Sequence, residues 1–175
     1  LFRSLSGRKG KQAAAFDEAI IAFSRAATAH KKSAAACVKW GEALIWTEQP
    51  EAARAQWREA LKRDHTSVDL GAMTQWLGGA TAATLIQEQI TERGEDALLL
   101  WYLASAEYVA GADAWDSCRQ HFERVIELNP AYDSCYYFLA EGSFAAANRL
   151  NQSGKKSAAT REYRYSASSW AKYLS

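Results

Sequence analysis

The sequence predicts an all-α fold, a solenoid of stacked antiparallel helix pairs with about nine helices. One pattern of large and small residues recurs after thirty-four positions, first as Phe16, Ala19, Phe23 and Ala26 and again as Pro50, Ala53, Trp57 and Ala60. A fixed period of that length is typical of helix-turn-helix solenoids. Composition agrees, because two prolines and ten glycines in 175 residues are too few for a loop-rich all-β chain. A hydrophobic content of 49% suffices for one sizeable core.

The first elements follow from apolar positions at three- and four-residue steps. Residues 12–33 predict the second half of an incomplete repeat, with one amphipathic helix from residue 12 to about residue 29. Residues 34–67 predict a complete helical hairpin, with helices over 34–47 and 50–63. Pro50 stands at the first position of the second helix, where the missing N–H costs nothing.

The hairpin over residues 34–67 resembles the tetratricopeptide repeat (TPR). Seven residues match the large and small positions of that family's pattern: Cys37, Trp40, Gly41, Leu44, Ala53, Trp57 and Ala60. His65 departs from it, because the family often has proline there, whereas residues 127–130 (Glu-Leu-Asn-Pro) are similar to the usual end of a repeat. The resemblance implies a right-handed solenoid that binds other proteins and is not an enzyme. The pentatricopeptide repeat, an RNA-reading relative in architecture, suits the Trp, Gly and Ala positions less well.

The later elements keep the hairpin architecture, although the motif is sharp only in parts. The predicted repeats cover residues 12–33 (partial), 34–67, 68–96 (degenerate), 97–132 and 133–175, within a single domain of residues 12–175. In the degenerate repeat, a short helix is predicted to end at Gly78 and Gly79, and another covers residues 80–92. The last hairpin has its second helix at about residues 157–174.

In TPR proteins the first helix of each hairpin lines a concave groove. Carried onto this sequence, the groove positions are Val38, Glu42, Ile45, Trp101, Ser105, Tyr108, Tyr137, Glu141 and Phe144. Such a groove is aromatic and acidic, and it lacks the Lys, Arg and Asn side chains with which some members hold a C-terminal carboxylate. The resemblance therefore implies a protein or peptide partner whose binding segment is hydrophobic and carries Lys or Arg. Packing of these rings on the chain's own terminus or on an adjoining subunit is the alternative.

The chain contains seven tryptophans, some of which are predicted to lie in the core and others on the surface. Those on consensus core positions are expected to be structural: Trp40, Trp57 and Trp170. Those off these positions are the candidates for partner contact: Trp46, Trp101 and Trp115. Tryptophan is enriched in the hot spots of protein interfaces, which supports the second assignment.

Charge is segregated along the chain although its net value is only +1. Residues 1–84 carry a net charge of +4, residues 85–144 carry −8 and residues 145–175 carry +5. An acidic middle between basic ends favours charged partners or end-to-middle docking of subunits, and chance clustering on solvated faces explains it equally. The candidate basic patch comprises Arg3, Arg8, Lys9, Lys11, Lys155, Lys156, Arg161 and Arg164.

The basic tail, residues 1–11, has three interpretations: the remnant of an organelle transit segment, an arm that contacts an acidic surface such as phosphate, or the point where a longer chain was trimmed. An odd number of cysteines without a CxxC spacing indicates buried thiols in a reducing compartment. That compartment is the cytoplasm or, after N-terminal processing, an organelle. No apolar run reaches the roughly 18 residues of a membrane span.

No catalytic, metal or cofactor site is predicted. The three histidines lie far apart, and the sequence contains no GxSxG, no GxGxxG and no phosphate-binding glycine loop. Glu88 and Glu92 lie one helical turn apart, which predicts solvent exposure or a docking patch for a basic partner.

The leading functional hypothesis is a non-enzymatic adaptor or accessory subunit within a larger complex. One alternative is a structural protein that self-associates through its basic ends and acidic middle. Another is a ribonucleoprotein subunit that contacts RNA through basic termini, which the near-neutral total charge disfavours.

Overall fold

Helices form almost all of the part of the chain that the structure, a computed structural model, describes: the backbone of residues 11–175, with side chains from residue 14 onward. This part contains nine α-helices and no β-strand, which confirms the all-α prediction. The helices are α1 (Lys11–Ala29), α2 (Ala35–Trp46), α3 (Pro50–Asp64), α4 (Leu70–Leu77), α5 (Gly79–Arg93), α6 (Ala97–Ala110), α7 (Trp115–Leu128), α8 (Ser134–Gln152) and α9 (Lys156–Tyr173). Short 3₁₀ turns at His65–Ser67 and Ala112–Ala114 precede α4 and α7.

Contacts divide the described chain into two compact units, the first ending at Leu77 and the second comprising Gly78–Ser175. The division falls at the glycine pair where the sequence predicts a break between helices. Inside each unit, the most extensive packing joins helices that are neighbours in sequence. Each unit is thus a series of helices connected by short turns, in which most helices pack on their neighbours in sequence.

The core of the first unit is built around Trp57 of α3, whose side chain is fully buried. Gly41 of α2 permits this packing, because a Cβ atom there would lie only 2.7 Å from Nε1 of Trp57. Arg63 then connects α3 to the end of α1: its guanidinium donates to the carbonyl of Ala27 at 2.8 Å and to that of His30 at 3.3 Å. These bonds satisfy carbonyls that a helix C-terminus leaves without intrahelical partners.

The core of the second unit contains large apolar side chains from four successive helices: Leu85, Ile86, Leu99, Leu100, Phe122, Val125 and Leu139. Asp96 begins α6, because its carboxylate accepts the Leu99 N–H at 2.9 Å as an N-cap. Gly111 ends the same helix with a φ of +115°, a conformation that L side chains rarely adopt. Local chemistry therefore sets both ends of α6.

Arg119 connects α7 to α9 across the second unit. Its guanidinium pairs with the Glu162 carboxylate and lies 5.3 Å from the centre of the Trp115 ring and 5.1 Å from that of Tyr165. The Tyr165 hydroxyl donates to Glu123, and burial followed by this bond raises the pKa of Tyr165. The rings and the carboxylate all attract the cation, whereas Nε of Arg119 is buried without a hydrogen-bond partner among the described residues.

Two surface predictions from the sequence are wrong. Trp115, expected to contact a partner, is only 7% exposed, because its six-membered ring lies directly over Gly142 of α8. Val38, expected in an open groove, is buried in the first unit. Among the tryptophans expected in the core, Trp57 is fully buried, whereas Trp40 and Trp170 are half-buried.

Candidate partner-binding surface

Aromatic side chains of α6, α8 and α9 form a continuous series of ring contacts in the second unit. The Phe138 ring centre lies 5.3 Å from that of Tyr108 and 5.4 Å from that of Tyr137. Tyr137 in turn lies 5.6 Å from Trp170 and 5.7 Å from Tyr173. We call these five residues the aromatic ladder. Edge-to-face and tilted rings at such distances attract one another beyond their area of contact.

The ladder has one side in the core and one side in solvent. Phe138 stacks on the fully buried Phe122 with ring centres 5.2 Å apart, which anchors the ladder to α7. Tyr108, Tyr137 and Tyr173 are 36%, 38% and 40% exposed. Rings held rigidly by one face and open on the other are suited to bind a partner with little loss of side-chain entropy.

A carboxylate lies close to the ladder. Glu141 follows Tyr137 by one helical turn on α8. The pKa of Tyr108 is raised above its usual value, first by burial and then by the negative charge of Glu141 and by Tyr137. The surface therefore combines aromatic faces with one negative charge, and both attract a cationic side chain.

The structure brings together three of the predicted groove residues, Tyr108, Tyr137 and Glu141. Phe144, also on α8, is half exposed, and its ring contacts Tyr163 of α9 at 5.7 Å. Tyr137 and Phe144 thus pack on the chain's own terminal helix, as the alternative prediction has it, with one side of each ring. The other side of each ring is exposed to solvent.

The remaining predicted groove residues lie outside the ladder. Trp101 is half-buried and contacts the Tyr102 ring at 5.8 Å, and the Ser105 hydroxyl is buried without a hydrogen-bond partner in the described residues. In the first unit, Glu42 pairs with Lys39 at 2.8 Å and Ile45 is half-buried.

The first unit has its own partly exposed aromatic group. Trp46, predicted to contact a partner, is 38% exposed. Its ring centre lies 5.3 Å from that of Trp76 and 6.2 Å from that of Phe16. This exposure is compatible with partner contact.

Sequence reasoning missed three ladder residues, Phe138, Trp170 and Tyr173, as parts of a surface. A signal for the pair on α9 was present, because residues three apart lie on the same face of a helix. Phe138 directly follows two tyrosines in the sequence, but only packing shows that its ring joins Tyr108 to Tyr137.

A cavity of about 550 Å³ lies in the second unit, between α5 and α6. Its lining residues are Ala83, Thr84, Gln87, Glu88, Thr91, Glu92, Leu103 and Glu107. We call it the acidic cleft. Glu107 is 13% exposed at its side chain and lies 2.8 Å from Nδ1 of His121. Glu88 and Glu92, predicted to be exposed or to form a docking patch, line this cleft.

A smaller cavity of about 240 Å³ lies between the end of α6 and the middle of α8. Tyr108 and Trp115 line it together with Gly142 and Arg149. The cavity therefore adjoins the ladder at Tyr108.

The structure describes only part of the predicted basic patch. Arg3, Arg8 and Lys9 lie outside the described residues, and the side chain of Lys11 does as well. The other four members, Lys155, Lys156, Arg161 and Arg164, are exposed at the start and along one side of α9.

The thiols of the second unit are buried. Cys118 and Cys135 are fully buried and free, and Cys118 donates to the carbonyl of Ala104 at 3.3 Å. Burial raises the pKa of each of these thiols to about 12, from a usual value of 9.0. A protonated, inaccessible thiol is a poor nucleophile and a poor metal ligand, so these residues act as apolar core.

Thiol burial predicts a fall of stability in alkali. The pKa values of Cys118 and Cys135 are higher in the folded chain than in the unfolded one. The stability that these protonated thiols contribute is therefore complete below pH 9 and is lost as the pH rises toward about 12. Urea unfolding of the native chain should give a lower free energy of unfolding at pH 10.5 than at pH 8. A Cys118→Ala/Cys135→Ala variant should show a smaller decrease in the free energy of unfolding. Equal decreases in the two proteins would contradict the assignment of this effect to the buried thiols.

The described chain holds no group of three His, Cys, Asp or Glu side chains arranged to bind a metal ion. Among its helices, none has both the length and the apolar character needed to cross a bilayer. Compared with known proteins, the sequence matches no protein family and no curated protein.

Proposed function

We propose that this protein is a non-enzymatic scaffold or adaptor of the TPR type, which holds a partner polypeptide against the aromatic ladder. The observation that carries the proposal is the ladder itself. The three tyrosines of the ladder pack against neighbouring rings on one side and keep more than a third of their surface exposed to solvent. Tyrosine and tryptophan fixed in this manner are the residue types that contribute most to binding energy at protein interfaces.

Serial stacking of hairpins into a right-handed solenoid is part of the same proposal. Two observations support it, both of contacts between helices that are two apart in sequence. Arg63 of α3 contacts the end of α1 in the first unit. Arg119 of α7 pairs with Glu162 of α9 in the second unit. Stacked hairpins place alternate helices side by side, whereas isolated hairpins do not.

The partner's binding segment is expected to be hydrophobic and to carry Lys or Arg. Aromatic rings bind apolar side chains because the contact buries apolar surface. They attract cations through the negative charge on the face of the ring quadrupole. Glu141 supplies a negative charge at the same place, as its effect on the pKa of Tyr108 indicates. The protein is proposed to act as an accessory or assembly subunit of a larger complex, which it would join by holding such a segment against the ladder.

Replacement of Tyr137 tests the proposal most directly, because this ring contacts three other ladder residues. Chains that co-purify with the tagged protein would be identified, and the affinity of one purified partner would be measured by calorimetry. Tyr137→Ala is expected to weaken binding by about tenfold or more while helicity by circular dichroism is retained.

Tyr136→Ala is the matched control. Tyr136 precedes Tyr137 on α8 and lies under the Lys172 ammonium at 5.4 Å, outside the ladder. Its replacement should leave the affinity within about twofold. Trp101→Ala extends the test, since a loss of binding there would enlarge the surface toward the predicted groove. Normal binding by both Tyr137→Ala and Trp101→Ala would reject the surface assignment.

A further inference from the structure

The smaller cavity of the second unit, which we call the α6–α8 cavity, is bordered mainly by small residues. Gly111 and Ala112 border it at the end of α6, and Gly142 and Ala145 border it on α8. Its volume of about 240 Å³ corresponds to roughly eight water molecules, at the roughly 30 Å³ that each occupies in the liquid. An acidic side chain or a short-chain organic acid is of this size.

Two polar side chains also line this cavity, and both carry hydrogen-bond donors. Arg149 of α8 is exposed, and Tyr108 of α6 is 36% exposed. Within the described residues, neither the Arg149 guanidinium nor the Tyr108 hydroxyl has a hydrogen-bond or ion-pair partner. The pKa of Tyr108 is raised, first by burial, so its hydroxyl remains protonated at neutral pH and can donate. The cavity therefore offers a cation and an O–H donor to a bound group.

The start of α7 adds partial positive charge at the same place. This helix begins at Trp115, which lines the cavity, and its N-cap residue Ala114 makes no side-chain hydrogen bond. The free N–H groups and the dipole of a helix start favour an anion within about one turn. The acids nearest in sequence, Asp113 and Asp116, are exposed and do not line the cavity. Among the lining residues that the structure describes, Arg149 thus carries the one full charge.

We propose that the α6–α8 cavity binds a carboxylate group on a short apolar stem, with Arg149 as its ion-pair partner and the Tyr108 hydroxyl as a second donor. A planar guanidinium binds a carboxylate through two parallel hydrogen bonds, and the small residues of the cavity leave room for the stem. One source of this group is an acidic side chain of the segment on the aromatic ladder, and this source rests on the function proposed above. The other source is a free short-chain organic acid, which needs no such segment.

The position of Arg149 complements that of Glu141 beside the ladder. Both residues lie on α8, separated by about two helical turns or about 12 Å, and the cavity residue Ala145 lies midway between them. A segment on this surface therefore meets a negative charge at one end and a positive charge at the other. A partner whose Lys or Arg is followed by an acid about 12 Å away fits these charges in one direction only.

Butyrate tests the cavity on the full chain without any partner. In ¹⁵N-labelled protein the indole N–H signal of Trp115 reports on the cavity, and that of Trp170 reports on the ladder. At constant ionic strength, butyrate should shift the Trp115 signal saturably and leave the Trp170 signal in place. The expected dissociation constant is about 10 mM, because so small a molecule buries little surface. Butanamide, which has the same shape without the charge, should give no saturable shift.

Three variants identify the residues responsible. Arg149→Gln should raise the dissociation constant for butyrate by about tenfold or more, because it removes the charge from an exposed side chain. Arg164→Gln makes the same change at an exposed residue outside the cavity lining, and it should stay within about twofold of the native value. Ala145→Leu should abolish the saturable shift by filling the cavity while Arg149 remains. A native chain without a saturable shift at Trp115, or equal binding by the native chain and Arg149→Gln, would overturn the proposal.

The purified partner used in calorimetry distinguishes the two sources. If an acidic side chain of the partner occupies the cavity, the partner should shift both the Trp115 and the Trp170 signals, and butyrate should no longer shift Trp115. If a free organic acid is the occupant, partner and butyrate should bind together. Tyr137→Ala separates this proposal from the proposed function, because the variant should lose the partner and still bind butyrate as the native chain does.

Discussion

Replacement of Trp57 by alanine is expected to lower the free energy of unfolding of the first unit by about 3–5 kcal/mol. The Trp57 side chain is 0% exposed and is the largest of the fully buried side chains. Its removal leaves a cavity between α2 and α3 that small neighbours such as Gly41 and Ala53 cannot fill. A loss of that size is a large part of the stability of a domain, so the variant is expected to unfold at a much lower urea concentration.

Urea unfolding followed by far-ultraviolet circular dichroism measures this loss without depending on tryptophan fluorescence. Trp46→Ala is the matched control, since Trp46 lies in the same unit and is 38% exposed. The control should lose clearly less, about 1–2 kcal/mol, because the Trp46 ring keeps only two partly exposed ring contacts. If Trp57→Ala and Trp46→Ala lost equal stability, the placement of Trp57 at the centre of the core would be wrong.

Gly79→Ala is expected to destabilise the second unit by about 3 kcal/mol, the upper range for overpacking. A Cβ atom at Gly79 would lie 2.5 Å from the Ala106 carbonyl oxygen and 2.5 Å from the Ala110 amide nitrogen. Both are backbone atoms of α6, and they cannot rotate away as a side chain does. Accommodation of one methyl group therefore requires α5 and α6 to separate, which opens contacts along both helices.

Gly71→Ala supplies the comparison for this prediction, because it makes the same chemical change in α4. A Cβ atom there would approach only the Asp69 carboxylate, at 3.2 Å. Alanine favours the helix over glycine, so the net change should be below about 1 kcal/mol in either direction. Thermal unfolding of both variants would separate a packing effect from a helix-propensity effect, and a Gly79→Ala variant as stable as the native chain would refute the close approach of α5 and α6.

Helix positions were largely predictable from the sequence because helical hydrogen bonds are local. The helix expected over residues 34–47 lies at Ala35–Trp46, and the one expected at about residues 157–174 lies at Lys156–Tyr173. Pro50 begins α3 as predicted. Apolar spacing identifies a helix because each N–H bonds to a carbonyl four residues earlier, whatever lies farther along the chain.

Side-chain exposure was less predictable, as Trp115 shows. It opens α7 directly after a 3₁₀ turn and lies off the consensus core positions of the repeat, so the pattern assigned it to the surface. Its burial comes instead from α8, where Gly142 leaves space for the ring. A residue twenty-seven positions away thus decides the environment of Trp115, and no local periodicity reports such a pairing.

The sequence by itself determined that this protein is helical, where its helices begin and end, and which types of residue are available for binding. Tertiary structure alone decided that Tyr137 meets Trp170 and Tyr173, that Phe138 joins it to Tyr108, and that three carboxylates share one cleft. The physical reason is the distance along the sequence between the residues that interact. Helix formation depends on neighbours within one turn, whereas a surface is assembled from side chains on different helices, whose meeting depends on how each helix packs against the others.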